Sequence, residues 1–97
     1  MNLDKLIPYF AGFFDKTGSI QICKNSRKSR FVKVTITCPD IRPLEIGQEI
    51  WGGSMTSAKI GKNTINYWIM TTNQARKFLN DIKEYSIVKK EKIEKYI

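Results

Sequence analysis

The sequence predicts an α+β fold in which helices cover one face of a four-stranded antiparallel sheet. Four stretches alternate polar and apolar residues with the period of a half-buried strand, and three others repeat apolar residues at helical spacing. Their order along the chain is αββαββα, followed by a short helical tail rich in Lys and Glu. The length of 97 residues predicts one domain, spanning 1–97, with one modest core.

The first three predicted elements are a helix and a hairpin. The helix spans 7–14, with Pro8 in its first turn and Gly18 in the C′ position beyond its end. The strands span 19–24 and 31–38, joined by the polar, basic connection 25–30. Alternation points these side chains inward: Ile20, Ile22, Val32, Val34 and Ile36.

The second half repeats this pattern. Asp40 is predicted to cap a turn or a helix over 41–51, which Gly52 and Gly53 end. Strands over 54–60 and 64–70 form a second hairpin around a turn at 61–63. A helix capped by Thr72 or Asn73 follows, and 88–97 continues as the helical tail. The four strands would form a saddle with one polar face and one face covered by helices.

The charge balance predicts a nucleic-acid partner. Lys and Arg total 17 against 9 Asp and Glu, which gives a net charge of +8 and a pI of about 9.7. The cations occur along the whole chain, so they indicate a charged surface of the fold. The absence of His excludes His-dependent nucleases, Ser/His hydrolases and Cys₂His₂ zinc sites. Charge alone does not distinguish DNA from RNA.

Composition also bears on the compartment. Two cysteines fit a reduced intracellular protein better than a disulfide scaffold. No apolar stretch approaches the roughly 20 residues of a membrane span, and no signal peptide is expected. The richness in Ile, Lys and Asn fits an AT-rich genome, such as that of an organelle, a mobile element or a phage.

Residues 10–20, Phe-Ala-Gly-Phe-Phe-Asp-Lys-Thr-Gly-Ser-Ile, resemble the signature of the LAGLIDADG homing endonucleases. The match is good at Ala11, Gly12, Asp15 and Gly18, and the αββαββα order resembles the family's subunit. The resemblance implies an intron-encoded, Mg²⁺-dependent, site-specific DNA endonuclease. It spans nearly the whole chain.

A single copy of the motif has a consequence for assembly. In the family, two motif helices pack together, and each delivers one acidic residue to the scissile phosphates. The resemblance therefore implies a homodimer joined through 6–15 on a pseudo-palindromic site. The interface it implies contains Phe10, Ala11, Gly12, Phe13 and Asp15. The alternative is an ordinary core helix.

The sequence departs from the family at the catalytic positions. Thr17 stands where the resemblance places the metal-binding acid, and a neutral hydroxyl is a poor ligand for a hard divalent cation. Lys16 adds positive charge beside it. Asp15 is a metal ligand only if it replaces the missing acid, because the family uses this position mainly to cap a neighbouring helix. Lys89 matches the family's lysine near the reactive phosphate, and Cys38 replaces a polar residue at the end of the second strand.

The open face of the sheet supplies the candidate nucleic-acid contacts. Amide side chains pair with adenine, and basic ones pair with guanine or phosphate. The candidate base-reading residues are Gln21, Cys23, Lys33, Thr35, Thr56, Asn66 and Trp68 on strands, and Asn25, Arg27, Lys28 and Arg30 on the connection. The candidate phosphate contacts are Lys59, Lys62, Lys89 and Lys90. For Trp68 the alternative is burial in the core.

Three functions follow from these observations. The first is a homing endonuclease that uses Mg²⁺ and a substitute ligand, and the second is a DNA-binding relative that no longer cleaves. The third is an RNA-binding derivative, either an intron maturase or a ribonucleoprotein component. Thr17 and Cys38 favour impaired or lost cleavage. The main prediction is a homodimer that binds double-stranded DNA, with RNA as the alternative ligand.

Overall fold

The computed structural model describes residues 3–24, 26–27 and 29–96 and confirms the predicted order of elements. The first half contains α1 (Leu3–Thr17), β1 (Gly18–Lys24), β2 (Arg30–Cys38) and α2 (Ile41–Trp51). The second half contains β3 (Ser54–Ile60), β4 (Asn63–Thr71), α3 (Thr72–Ile82) and α4 (Lys90–Tyr96). No helix among these described residues is long and apolar enough to cross a bilayer.

The four strands form one antiparallel sheet in the order β1-β2-β4-β3. The fold is therefore α+β, as predicted. β1 and β3 are the edge strands, and β2 pairs with β4 at the centre. Buried side chains of β2 and β4 face the helix layer, which leaves the opposite face of the sheet open.

The first helix differs from its prediction at both ends. It begins at Leu3, so Pro8 lies inside the helix and not in its first turn. A stripe of buried residues at Leu6, Phe10 and Phe14 holds this longer helix against the core, while Pro8 is exposed. Gly18 is the buried first residue of β1, and a Cβ there would overlap the Phe14 ring.

An aromatic cluster fills the centre of the core. Phe10 lies 5.4 Å from Trp51 and 5.9 Å from Trp68, measured between ring centroids, and Phe78 contacts both indoles. The Trp68 Nε1–H donates to the Gly52 carbonyl at 2.8 Å. α2 approaches the sheet closely at Gly47, where a Cβ would overlap the Trp68 ring. The helix layer is thus fitted closely to the back of the sheet.

Candidate nucleic-acid interface

The open face of the sheet mixes polar and apolar side chains, and Lys33 is the one cation among the described strand residues on it. Strand alternation and pairing give its residues: Ser19, Gln21 and Cys23 on β1; Phe31, Lys33, Thr35 and Thr37 on β2; Ser54, Thr56, Ala58 and Ile60 on β3; Asn63, Ile65, Tyr67, Ile69 and Thr71 on β4. Gln21 and Thr56 are exposed, and Lys33 and Thr35 are half-buried. These four, with Cys23, occupy the face predicted for them.

Acidic residues are absent from all four strands. The chain has nine Asp and Glu, and each lies in a helix or in a segment beside one, whereas the strands carry Lys24, Arg30, Lys33 and Lys59. The turn between β3 and β4 adds the exposed Lys62. A sheet without carboxylates does not repel phosphates, and the carboxylates of the chain all lie in the helices or beside them.

Asn66 and Trp68 lie on the opposite face from the one predicted. Asn66 is 5% exposed, donates to the carbonyls of Cys38 and Pro39 at 3.2 and 3.0 Å, and accepts from the Ser57 hydroxyl at 2.7 Å. Trp68 is fully buried. Neither side chain is available to read a base, so both assignments are wrong.

The length of one turn explains this error. The predicted turn at 61–63 pairs Thr56 with Trp68, whereas the observed pairing of Ile60 with Asn63 leaves a turn of two residues and pairs Thr56 with Tyr67. A shift of one residue moves every side chain of a strand to its other face. Tyr67, Ile69 and Thr71 therefore lie on the open face although they were not predicted there, and a two-residue turn beginning at Gly61 is the sequence signal that places them.

The other candidate nucleic-acid contacts among the described residues do not lie on the open face of the sheet. By alternation Lys59 and Arg30 belong to the helix side of the sheet, although both are exposed near strand ends. Arg27 is exposed in the β1–β2 connection, and Lys90 begins α4 in the helix layer. Asn25 and Lys28 lie outside the described residues.

Asp15, near the C-terminal end of α1, caps the segment that leads into α4. Its carboxylate accepts hydrogen bonds from the Ser86 hydroxyl and from the amides of Ile87, Val88 and Lys89, the last three at 2.8, 3.3 and 3.3 Å. Partial burial raises the pKa of Asp15, but these hydrogen bonds outweigh it and hold the pKa below its usual 3.8. The structure supports the capping role expected from the resemblance.

Lys89 lies against the same helix end. Its ammonium donates to the carbonyls of Phe14 and Asp15, both at 2.9 Å, and lies 5.3 Å from the centroid of the Phe14 ring. Burial lowers the pKa of Lys89, the nearby Asp15 opposes that effect, and Lys92 adds to it. The ammonium thus satisfies carbonyls that a helix leaves unpaired at its C-terminus.

The residues at this end do not fit a divalent metal. The Thr17 hydroxyl donates to the Phe13 carbonyl at 3.2 Å, and the Asp15 carboxylate is occupied by four donors. Cys38 reaches the same end of the sheet, since Gly18 pairs with Ile36, but its thiol packs against the core. No group of three or more His, Cys, Asp or Glu that could hold a metal occurs among the described residues. A hard cation would find no free carboxylate here.

The predicted dimer interface divides between two faces of α1. Phe10 and Ala11 are fully buried inside the chain, and Asp15 binds the 86–89 segment, so these three are not available to a second copy. The exposed face carries Lys5, Tyr9, Gly12 and Lys16, with Phe13 half-buried beside them. Among the described residues, nothing lies within 4 Å of a Cβ placed on Gly12, so another helix could approach there.

This face continues into a groove between α1 and α2. The groove has a volume of about 460 Å³ and is lined mainly by apolar side chains, including Leu6, Tyr9, Pro43 and Ile46. Tyr9 is 51% exposed and Ile46 is 38% exposed. Such adjoining exposed apolar residues are typical of protein contact surfaces.

Solved structures with this architecture include several DNA complexes. The archaeal intron-encoded homing endonuclease I-Vdi141I, solved in complex with DNA, is 23% identical with a TM-score of 0.76, and the match covers 98% of this chain and 66% of that one. The homing endonuclease I-CvuI, solved in complex with a DNA target, is 19% identical with a TM-score of 0.72, covering 94% and 62%. The LAGLIDADG homing endonuclease I-SmaMI, solved bound to cleaved DNA, is 25% identical with a TM-score of 0.58, covering 84% and 30%.

No protein-family model and no curated protein sequence matches the chain. The chain spans about two-thirds of the length of I-Vdi141I and I-CvuI and less than one-third of I-SmaMI. Its fold and open face define an α+β protein with a saddle-like sheet backed by helices. That architecture is the LAGLIDADG-type fold.

Proposed function

We propose that this chain binds double-stranded DNA on the open face of its sheet, as a homodimer joined along α1, with cleavage impaired or lost. The observation that carries the proposal is the sheet without carboxylates, in a fold shared with proteins solved on DNA. A two-stranded ribbon fits the major groove, which is about 12 Å wide. Gln21, Thr35 and Thr56 offer hydrogen-bonding groups to base edges there.

The exposed face of α1 supports the homodimer. Tyr9 and Phe13 flank Gly12, which leaves room for a second helix, and the adjoining groove would be covered in the dimer. A two-fold axis beside Gly12 also brings the two copies of Lys16 towards each other. Since like charges repel and salt screens them, we expect the dimer to strengthen as salt concentration rises.

Impaired cleavage follows from the groups at the C-terminal end of α1. Thr17 supplies no anionic oxygen, and the cap formed by Asp15 would have to break before this carboxylate could bind a cation. Lys16 and Lys89 place two cations close by. Each feature disfavours a bound divalent ion.

The cleavage proposal is tested with the DNA that flanks the gene, or with its intron-minus junction. We would compare the unmodified chain with Thr17→Asp in Mg²⁺ and measure duplex binding in Ca²⁺. Asn80→Asp on α3 is the control, because it makes the same charge change on the helix layer. We expect all three proteins to bind and only Thr17→Asp to cleave. Cleavage by the unmodified chain would contradict the proposal.

A competition experiment addresses the nucleic acid itself. Structured RNA of the same length and charge as the duplex is added to the complex, and the displaced duplex is measured. We expect the duplex to bind more tightly, because polar strand side chains reach base edges in a B-form major groove but not in the deep, narrow A-form one. Tighter binding of the RNA would favour the RNA-binding alternative.

Sedimentation equilibrium tests the homodimer. Gly12→Leu places a branched side chain where the second helix would approach, and we expect it to shift the chain to monomer. Asn80→Leu places the same side chain on the exposed surface of α3 and should leave the dimer intact. An unmodified chain that sediments as a monomer at about 0.1 mM would contradict the homodimer.

A further inference from the structure

A basic depression lies at the β1 edge of the sheet, on the side of the helix layer. It has a volume of about 260 Å³ and is lined by Ile22, Arg30, Phe31, Val32, Arg76 and Lys95. The helix layer does not fully cover this end of the hairpin, since Ile22 is 40% exposed although its pairing partner Val32 is buried. The opening is therefore bounded by the β1–β2 hairpin, α3 and α4.

Three cations from three different elements line this depression. Arg30 comes from β2, Arg76 from α3 and Lys95 from α4. Lys24 pairs with Arg30 across the hairpin and so points to the same side. An anion with several oxygens can accept hydrogen bonds from more than one of these side chains at once.

The position of the depression indicates which anion can reach it. β1 is an edge strand, so no further strand separates this side of the sheet from solvent. A strand ribbon in a major groove has one phosphate ridge along each flank. Side chains just below the edge strand, on its helix side, are placed to meet the ridge that a duplex on the open face would present.

We propose that Arg30, Arg76 and Lys95 bind a backbone phosphate of the duplex that lies on the open face of the sheet. This inference rests on the proposed function and extends the contact surface from the sheet to the helix layer. Two guanidinium groups suit a phosphate because their paired N–H donors match its oxygens. Arg76 and Lys95 lie outside the open face and belong to no surface predicted from the sequence.

The test measures duplex affinity over a range of salt concentrations for Arg30→Gln, Arg76→Gln and the double variant. Lys77→Gln is the matched control, because Lys77 follows Arg76 on the same helix, is also exposed and does not line the depression. We expect Arg76→Gln to lower the slope of log K against log salt by about 1.8 for the homodimer, as for one lost phosphate contact in each of the two copies. Lys77→Gln should leave the slope unchanged.

The double variant adds a second readout. If both arginines hold the same phosphate, the salt slope of the double variant falls no further than that of either single variant. The fold loss of duplex affinity in the double variant is then smaller than the product of the fold losses in the two single variants. If the chain binds duplex but Arg76→Gln and Lys77→Gln have equal salt slopes, the phosphate site is overturned and the proposed function is not. A chain that binds no duplex would overturn the proposed function and this site with it. Matched melting temperatures establish that the variants are folded.

Discussion

Lys89 and Asp15 are joined by two hydrogen bonds, and Lys89 is the donor in both. The Lys89 ammonium donates to the main-chain carbonyl of Asp15 at 2.9 Å, and the Lys89 amide donates to the Asp15 carboxylate at 3.3 Å. Together they tie the C-terminal end of α1 to the start of α4. The Asp15 carboxylate also accepts from the amides of Ile87 and Val88, which holds this stretch in place although the two side chains are 87% and 76% exposed.

The first prediction concerns this cap. Asp15→Ala removes the acceptor of four hydrogen bonds, so we expect the free energy of unfolding to fall by about 2 kcal/mol. Urea denaturation measures the change. Glu91→Ala, an exposed acid in α4, is the control and should change stability by less than about 0.5 kcal/mol. An equal effect of the two substitutions would contradict the capping role.

The second prediction concerns acid stability. The side-chain hydrogen bond from Arg42, with its backbone amide, lowers the pKa of Asp40 from 3.8 to about 2. Because the folded-state pKa lies below the unfolded one, the stabilisation is present above pH 3.8 and is lost as pH falls through about 2. The lowered pKa of Asp15 acts in the same direction.

Urea midpoints at about pH 5 and about pH 2.5 measure this dependence. We expect Asp40→Asn to lose less stability than the unmodified chain over that interval, because Asn still caps α2 but does not titrate. Glu49→Gln, which removes an exposed carboxylate from the same helix, should follow the unmodified chain. The prediction is wrong if Asp40→Asn loses as much stability over this pH interval as the unmodified chain.

The third prediction compares two helical glycines. Gly47→Ala should destabilise the chain by about 1–3 kcal/mol, because the added methyl group overlaps the buried Trp68 ring. Gly12→Ala meets nothing within 4 Å, so Ala's better helix propensity should stabilise the monomer by up to about 1 kcal/mol. Thermal unfolding at a concentration below dimerisation measures both. Effects of the same sign would contradict the fit of α2 to the sheet.

The fourth prediction concerns the charge of the open face. Thr56→Glu adds the first carboxylate to the strands, and we expect duplex affinity to fall about tenfold or more through repulsion of phosphates. Asn80→Glu makes the same charge change on α3 and should cost little. Fluorescence anisotropy at low salt measures both. Equal losses would mean that binding depends on net charge alone and not on this face.

Local patterns were sufficient for the architecture. Ile20 and Val32 to Ile36 alternate in a way that only a half-buried strand explains, and the bounds of α2 and β3 follow from Gly52, Gly53 and Gly61. The cap by Asp40 was also predictable, because a carboxylate before an apolar helical repeat is a local signal. The resemblance of residues 10–20 to the LAGLIDADG signature predicted the fold type.

The sequence by itself therefore determined the order of elements, the fold type, the basic character and the neutral residue at position 17. Only the tertiary structure decided which face Asn66 and Trp68 occupy, that Phe10 belongs to the core and not to a second copy, and that Arg76 and Lys95 meet Arg30. These facts depend on strand register and on the packing of α1, α3 and α4 against the sheet. A one-residue change in the length of a turn moves every side chain of the following strand to the other face of the sheet. Packing brings together residues that are far apart in the chain. Strand register and helix packing are therefore not encoded in a local sequence pattern.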